Sequence, residues 1–130
     1  MLGSFKDRLT DMVKANVYDL LELAELMPAQ SASELDSSER FALDQLGAQI
    51  ARRHTLAAKI PVMEAALTDA SAEAERAVEN GNDSLARMAI SKRLDLQNRL
   101  DGSLGELTSL RQSIAALETL TRKLAAARNR

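Results

Sequence analysis

The sequence has little of what a globular core or thiol chemistry requires. It contains no cysteine, no tryptophan and only three aromatic residues, one Tyr and two Phe. The lack of cysteine excludes disulfides and thiolate metal sites and fits a reducing compartment. Because aromatic side chains usually dominate a globular interior, the apolar surface here must come from aliphatic residues and alanine, which suit a narrow seam between helices. Alanine and leucine also favour helix, so the composition predicts an all-α fold.

The residue patterns of catalytic, metal-binding and nucleic-acid-binding sites are also missing. His54 is the only histidine, whereas a zinc site normally needs three or four ligands. We find no Gly-rich phosphate loop and no nucleophile-elbow context. The net charge is −2, without the net basic surface that nucleic-acid binding requires. We therefore predict a non-enzymatic protein with no cofactor, no metal and no nucleic-acid partner.

Long hydrophobic runs are absent as well. No apolar run approaches the roughly 20 residues that a membrane-spanning helix needs. Near the N-terminus Asp7, Asp11 and Asp19 interrupt the apolar residues, which is not the pattern of a secretory signal. These features predict a cytoplasmic protein, either free or bound to a membrane from that side.

Residues 1–26 nevertheless have the periodicity of an amphipathic helix. At 100° per residue one broad sector is apolar, with Lys6 near its edge and Asn16 within it. Pro28 discourages continuation of the helix, and we interpret residues 27–33 as a linker. This sector could lie in a bilayer interface or pack on the rest of the chain or on a partner, and the periodicity alone leaves both open. Its members are Leu2, Phe5, Leu9, Met12, Val13, Val17, Leu20, Leu23 and Ala24.

Residues 34–130 carry two heptad seams, which predict two long helices packed as a coiled coil. Ser33 and Asp36 resemble a capping box at the start of the first helix, and Pro61 predicts a bend without a break. Gly102 and Gly105 in the second helix predict a close approach or a local bend. The first seam is Ala42, Leu46, Gln49, Arg53, Leu56, Ile60, Met63, Leu67, Ala70, Ala74 and Ala77. The second is Leu96, Leu100, Ser103, Leu107, Leu110, Ile114, Leu117, Thr121 and Leu124.

A turn at residues 80–84 separates the two seams. Gly81 can supply a left-handed stop after Asn80, and Asn82 or Asp83 can cap the next helix. So short a connection predicts an antiparallel hairpin. The charge distribution favours pairing of the two helices. Residues 34–79 carry nine acidic and five basic side chains, whereas residues 83–130 carry five acidic and nine basic ones. Folding at Gly81 predicts the ion pairs Glu75 with Arg87 and Glu64 with Arg99.

Two stretches resemble the phage-shock-protein A family, which includes the vesicle-inducing proteins of plastids. Residues 74–92 contain Leu85-Ala86-Arg87 directly after the turn, similar to the family motif of an Ala-rich stretch, Gly, acidic residues and Leu-Ala-Arg. The opening residues 1–8 and residues 13–21, which include Asn16, resemble the family's N-terminal helix. The resemblance spans essentially the whole chain but is loose over residues 25–70.

This resemblance to bacterial relatives of ESCRT-III implies a peripheral membrane protein that supports membrane integrity under envelope stress. It implies binding to anionic lipid on the inner face of the cell membrane and, in some members, restraint of an AAA+ transcription activator. Family members continue beyond the position of Arg130, so the expectation is a fragment or a short paralogue. The lipid-binding residues implied are Leu2, Phe5, Lys6, Leu9, Met12, Val13, Val17 and Leu20.

Two other functions are compatible with these patterns. The hairpin could act as a coiled-coil adaptor or regulator through protein contacts alone. It could also self-associate into a dimer or bundle as a structural element.

Overall fold

The computed structural model describes residues 2–14 and 31–129. These residues form three helices, α1 over Leu2–Lys14, α2 over Ala32–Glu79 and α3 over Asp83–Arg128. No strand occurs within these ranges. The predicted all-α class is confirmed, and α2 and α3 pack against each other as the predicted antiparallel hairpin.

The first turn of α2 lies slightly earlier than the sequence pattern indicated. Ser31 is the N-cap, because its Oγ accepts a hydrogen bond from the backbone N–H of Glu34 at 3.2 Å. The same hydroxyl contacts Oε1 of Glu34 at 3.2 Å. The predicted cap at Ser33 is therefore wrong, because Ser31 and Glu34 have the Ser-x-x-Glu spacing in full. The helix begins at Ala32, inside the segment interpreted as a linker.

The turn between α2 and α3 forms as predicted, with Gly81 at a φ of 67°. The N–H of Asn82 donates to the carbonyl of Ala77, and that of Gly81 donates to the carbonyl of Val78, each at 3.1 Å. This pair of bonds is the Schellman arrangement that ends many helices. Asn82 then caps α3, because its Oδ1 accepts from the N–H of Leu85 at 3.1 Å. One residue thus closes the turn and starts the returning helix.

Proline and glycine inside the long helices interrupt neither of them. Helix α2 continues through Pro61, which confirms that there is no break, while the expected bend stays a prediction. A Cβ added at Gly102 or Gly105 would meet nothing within 4 Å. The prediction that these glycines allow a close approach of the other helix is therefore wrong.

The chain divides into two compact units, each described here by itself. Residues 54–108 form the two-helix unit, in which α2 and α3 meet along a seam. Next to the turn this seam consists of alanines, and larger residues follow farther along the helices. Its buried members are Leu56, Ile60, Ala70, Ala74, Ala77, Ala86, Ala89, Leu100 and Leu107.

Residues 1–53 and 109–130 form the other unit. Its described residues belong to three helices, since α1 joins the α2–α3 pair here, and we call it the three-helix unit. Large side chains dominate its interior, and Leu9, Leu117 and Leu120 are completely buried. The burial of Leu110, Ile114, Leu117 and Leu124 follows the predicted seam. The core of this unit therefore contains larger apolar side chains than the seam beside the turn of the two-helix unit.

Ion pairs between α2 and α3 join acidic residues of α2 to basic residues of α3, the direction that the charge asymmetry predicted. In the two-helix unit Nζ of Lys92 lies 3.8 Å from Oε2 of Glu73. Neither of the two ion pairs predicted from the sequence forms among the described residues. Arg99 instead pairs with Asp95 on its own helix at 3.1 Å, because an i,i+4 partner is already within reach.

Candidate functional site

Helix α1 is amphipathic in the structure, as its periodicity predicted. Phe5, Leu9 and Val13, spaced four residues apart, are 3%, 0% and 9% exposed. Residues four apart lie on one face of a helix, so these side chains form a continuous apolar strip. Among residues 5–14 the exposed side chains are Lys6, Asp7, Arg8, Asp11 and Lys14.

The apolar strip of α1 lies in a groove of the three-helix unit. With Phe5, Leu9 and Val13, one buried cluster contains Ala42 of α2 and Leu117, Leu120 and Leu124 of α3. We call this set the α1 cluster. Ser38 and Ala42 are both completely buried one turn apart on α2. Partly buried apolar residues surround the cluster: Met12, Leu35, Phe41, Leu46 and Ala116.

A polar contact lies at the edge of this groove. The ammonium of Lys6 lies 5.5 Å from the centroid of the Phe41 ring, within the range of a cation–π interaction. Lys6 was placed near the edge of the apolar sector from the sequence. Its charge lies over an aromatic face while the side chain remains exposed.

The structure therefore locates part of the predicted lipid-binding set. Phe5, Leu9 and Val13 are covered by α2 and α3, Met12 is partly covered and Lys6 is exposed. Val17 and Leu20 lie outside the described residues, and so does the side chain of Leu2. The strip that would enter a bilayer thus faces the protein interior in this structure, which is the packing alternative that the periodicity left open.

An ionic cluster joins the ends of α2 and α3 in the same unit. Nη1 of Arg128 lies 2.6 Å from Oε2 of Glu39 and 3.1 Å from Oδ1 of Asp36. The side chain of Glu39 is only 12% exposed, so this carboxylate depends on Arg128 for compensation of its charge. The contact fixes the last turn of α3 against the first turns of α2, beside the groove that holds α1.

The two-helix unit carries a second distinctive surface near the turn. Its alanines face inward, whereas several large apolar side chains of both helices face outward. Met88 is 68% exposed and Val78 is 62% exposed. An inverted distribution of this kind is typical of interaction surfaces. Exposed members near the turn are Val78, Leu85, Met88, Ile90 and Leu94.

Part of this surface is concave. A groove of about 600 Å³ lies between α2 and α3, with Leu85, Met88 and Ala89 among its apolar lining. Glu73 and Lys92 also line it. Of the Leu-Ala-Arg motif, Leu85 is half exposed, Ala86 is buried in the seam and Arg87 is exposed.

Sequence reasoning missed the parts of this architecture that depend on the third helix. Leu120 and Ser113 are buried, although neither belongs to the heptad seam. With Ala116 they form a second stripe on α3, whose spacing of three and four residues was a detectable signal. Arg128 was counted only as one of many basic residues, and its two carboxylate partners were not identified.

His54 is exposed on α2. Within residues 2–14 and 31–129, no group of three or more His, Cys, Asp or Glu side chains could hold a metal ion. None of the helices in the described part of the chain combines the length and apolar character needed to cross a bilayer.

Comparisons with protein families, with curated proteins and with solved structures gave no match for this chain.

Proposed function

We propose that this protein binds membranes peripherally through α1 and presents the α2–α3 hairpin at the membrane surface, supporting membrane integrity under envelope stress. The observation that carries the proposal is the distribution of apolar and charged side chains on α1. This helix is amphipathic, with a continuous apolar strip of Phe5, Leu9 and Val13 and exposed charged residues on its other side. The resemblance of residues 1–8, 13–21 and 74–92 to the phage-shock-protein A family supports the same function.

The apolar strip has the size needed to bind a bilayer interface. Burial of one large aliphatic or aromatic side chain contributes about 1.5–3 kcal/mol, and three such side chains form the strip. The groove in the protein and the acyl boundary of a bilayer each remove the same side chains from water. Binding to lipid therefore requires α1 to leave the α1 cluster.

The charged side of α1 favours an anionic surface. Lys6, Arg8 and Lys14 are exposed, and each base near a membrane contributes about 1 kcal/mol of attraction. Asp7 and Asp11 are also exposed and offset part of this term. We propose anionic lipids of the inner face of the cell membrane as the ligand, with binding that weakens as ionic strength rises.

Co-sedimentation with phosphatidylglycerol vesicles tests this proposal. We expect the full chain to pellet with the vesicles and the double variant Phe5→Asp/Val13→Asp to remain in the supernatant. The matched control is Met88→Asp/Leu94→Asp, which makes the same type of change at exposed positions of the two-helix unit and should pellet like the wild type. Equal pelleting of all three proteins would refute the role of α1.

A second candidate function is a coiled-coil adaptor that acts through protein contacts, for example by restraining an AAA+ transcription activator. The outward-facing apolar side chains near the turn favour it, since Leu85 and Met88 line a groove next to charged residues. This function needs no release of α1. It would also be compatible with self-association of the hairpin.

The two candidate functions predict that different surfaces of the protein are required. If the protein is an adaptor, Leu85→Asp/Met88→Asp abolishes binding to a purified AAA+ activator and vesicle composition has no effect. Phe5→Asp/Val13→Asp would then retain the activator. Retention of the activator by the Leu85/Met88 variant would contradict the adaptor function.

A further inference from the structure

We infer that the groove of the three-helix unit restrains α1, so that docking of α1 and binding of lipid exclude each other. The inference rests on the proposed membrane function and specifies its control within the chain. Its basis is that Phe5, Leu9 and Val13 are buried together with Ala42, Leu117, Leu120 and Leu124 in one cluster. The same side chains cannot be in the groove and in a bilayer at once.

The groove is shaped to receive a helix. Ala42, a small residue of α2 in the cluster, has no solvent exposure. Leu117, Leu120 and Leu124 supply large apolar side chains from α3. Leu120 lies outside the α2–α3 heptad seam and is completely buried in the cluster that contains the apolar strip of α1.

Contacts at the rim add to the restraint. Phe41 packs against the α1 cluster, and Lys6 lies 5.5 Å from its ring centroid. The same lysine is one of the bases that would face an anionic headgroup. Docking therefore engages both parts of α1 that lipid binding requires, its apolar strip and one of its cations.

Docking lowers the apparent lipid affinity by the fraction of molecules in which α1 is free. A change that destroys the groove but leaves α1 untouched should therefore strengthen lipid binding. Most substitutions in a core weaken function, so a gain of binding is a distinctive outcome.

Ala42→Asp is the variant that tests this inference, since it places a carboxylate in the buried cluster. The matched control is Ala48→Asp, which introduces the same charge at an exposed position of the same helix. We expect Ala42→Asp to bind phosphatidylglycerol vesicles at least tenfold more tightly than the wild type, and Ala48→Asp to bind like the wild type. The backbone amides of α1 should exchange hydrogen faster in Ala42→Asp before vesicles are added.

A second variant covers the case in which Ala42→Asp also disrupts the hairpin, which circular dichroism would reveal. Phe41→Ala removes the cation–π contact and one side chain packed at the rim, and Phe41 is only partly buried. We expect a two- to fivefold gain in vesicle binding from it, in the same direction.

The outcomes separate failure of the inference from failure of the proposed function. Equal vesicle affinity of the wild type, Ala42→Asp and Phe41→Ala would overturn the restraint while leaving lipid binding intact. Fast exchange of α1 in Ala42→Asp without vesicle binding by any of the proteins would overturn the membrane function, and the restraint of lipid binding with it.

Discussion

In the three-helix unit the completely buried residues include the large side chains of Leu9, Leu117 and Leu120, whereas beside the turn of the two-helix unit the buried seam consists of alanines. Two helices that meet through alanines come close together but bury little apolar surface. Their larger residues, such as Met88 and Val78, remain outside.

The contrast shows what a third helix adds. When α1 covers α3, side chains outside the two-helix seam also become buried, and each additional buried CH₂ contributes about 0.8 kcal/mol. We therefore expect stability to be concentrated in the three-helix unit, and we expect substitutions to have different effects in the two units.

The largest effect should come from Leu120→Ala. Leu120 is completely buried in the α1 cluster, and truncation of a buried leucine typically costs about 2–5 kcal/mol because it leaves a cavity. Urea unfolding should show a loss in this range. Leu94→Ala is the control, because Leu94 lies on the same helix but is 60% exposed, and it should change stability by less than about 0.5 kcal/mol. Equal losses of stability in Leu120→Ala and Leu94→Ala would contradict the claim that stability is concentrated in the three-helix unit.

Arg128→Ala should have the next largest effect. It leaves the nearly buried carboxylate of Glu39 without its cation, at an expected cost of about 1–3 kcal/mol in the free energy of unfolding. Arg99→Ala breaks only the exposed pair with Asp95 and should cost at most about 0.5–1 kcal/mol. Urea unfolding of both variants gives the comparison, and a smaller loss for Arg128→Ala would contradict the ionic cluster as described.

Substitution of glycine by alanine should raise the stability of the protein inside α3 and lower it at the turn. Gly102→Ala and Gly105→Ala should each stabilise the protein by about 1 kcal/mol, because alanine favours helix and the added Cβ meets nothing within 4 Å. Gly81→Ala should destabilise it by about 1–2 kcal/mol, because the φ of 67° at this residue disfavours a side chain. Thermal unfolding measures the direction of each change in stability. A loss of stability in Gly102→Ala would indicate that a neighbouring helix lies too close to Gly102 to admit a side chain.

The smallest effect should come from Lys92→Ala in the two-helix unit. Its ammonium lies 3.8 Å from Glu73, and both side chains are more than half exposed. Exposed pairs contribute about 0–1 kcal/mol, and salt screens them. We expect a loss of at most about 0.5 kcal/mol at low salt that disappears in 1 M salt. A larger loss of stability in urea unfolding that does not depend on salt would mean that the Lys92 side chain stabilises the unit by packing and not by its charge.

The contact between α2 and α3 could be predicted from the sequence because a heptad repeat fixes which side chains of two helices meet. Each residue predicted for the two seams is buried or partly buried, even Gln49 and Arg53. The turn was equally predictable, since Gly81 and Asn82 each have a specific backbone role.

The position of α1 could not be predicted in the same way. An apolar strip such as Phe5, Leu9 and Val13 indicates that a helix has a buried side, but it does not identify what covers that side. The groove combines Ala42 with Leu120, residues far apart in sequence that no single repeat relates. Arg128 and Glu39 were missed for the same reason, because their pairing depends on the register of two helix ends.

The most direct measurement of the central claim is a set of nuclear Overhauser contacts in the full chain, with methyl groups labelled and no lipid present. The side chains of Phe5, Leu9 and Val13 should show contacts to methyl groups of Ala42, Leu117, Leu120 and Leu124. If these α1 side chains show contacts only within their own helix, α1 does not occupy the groove, and the restraint inferred from it has no structural basis.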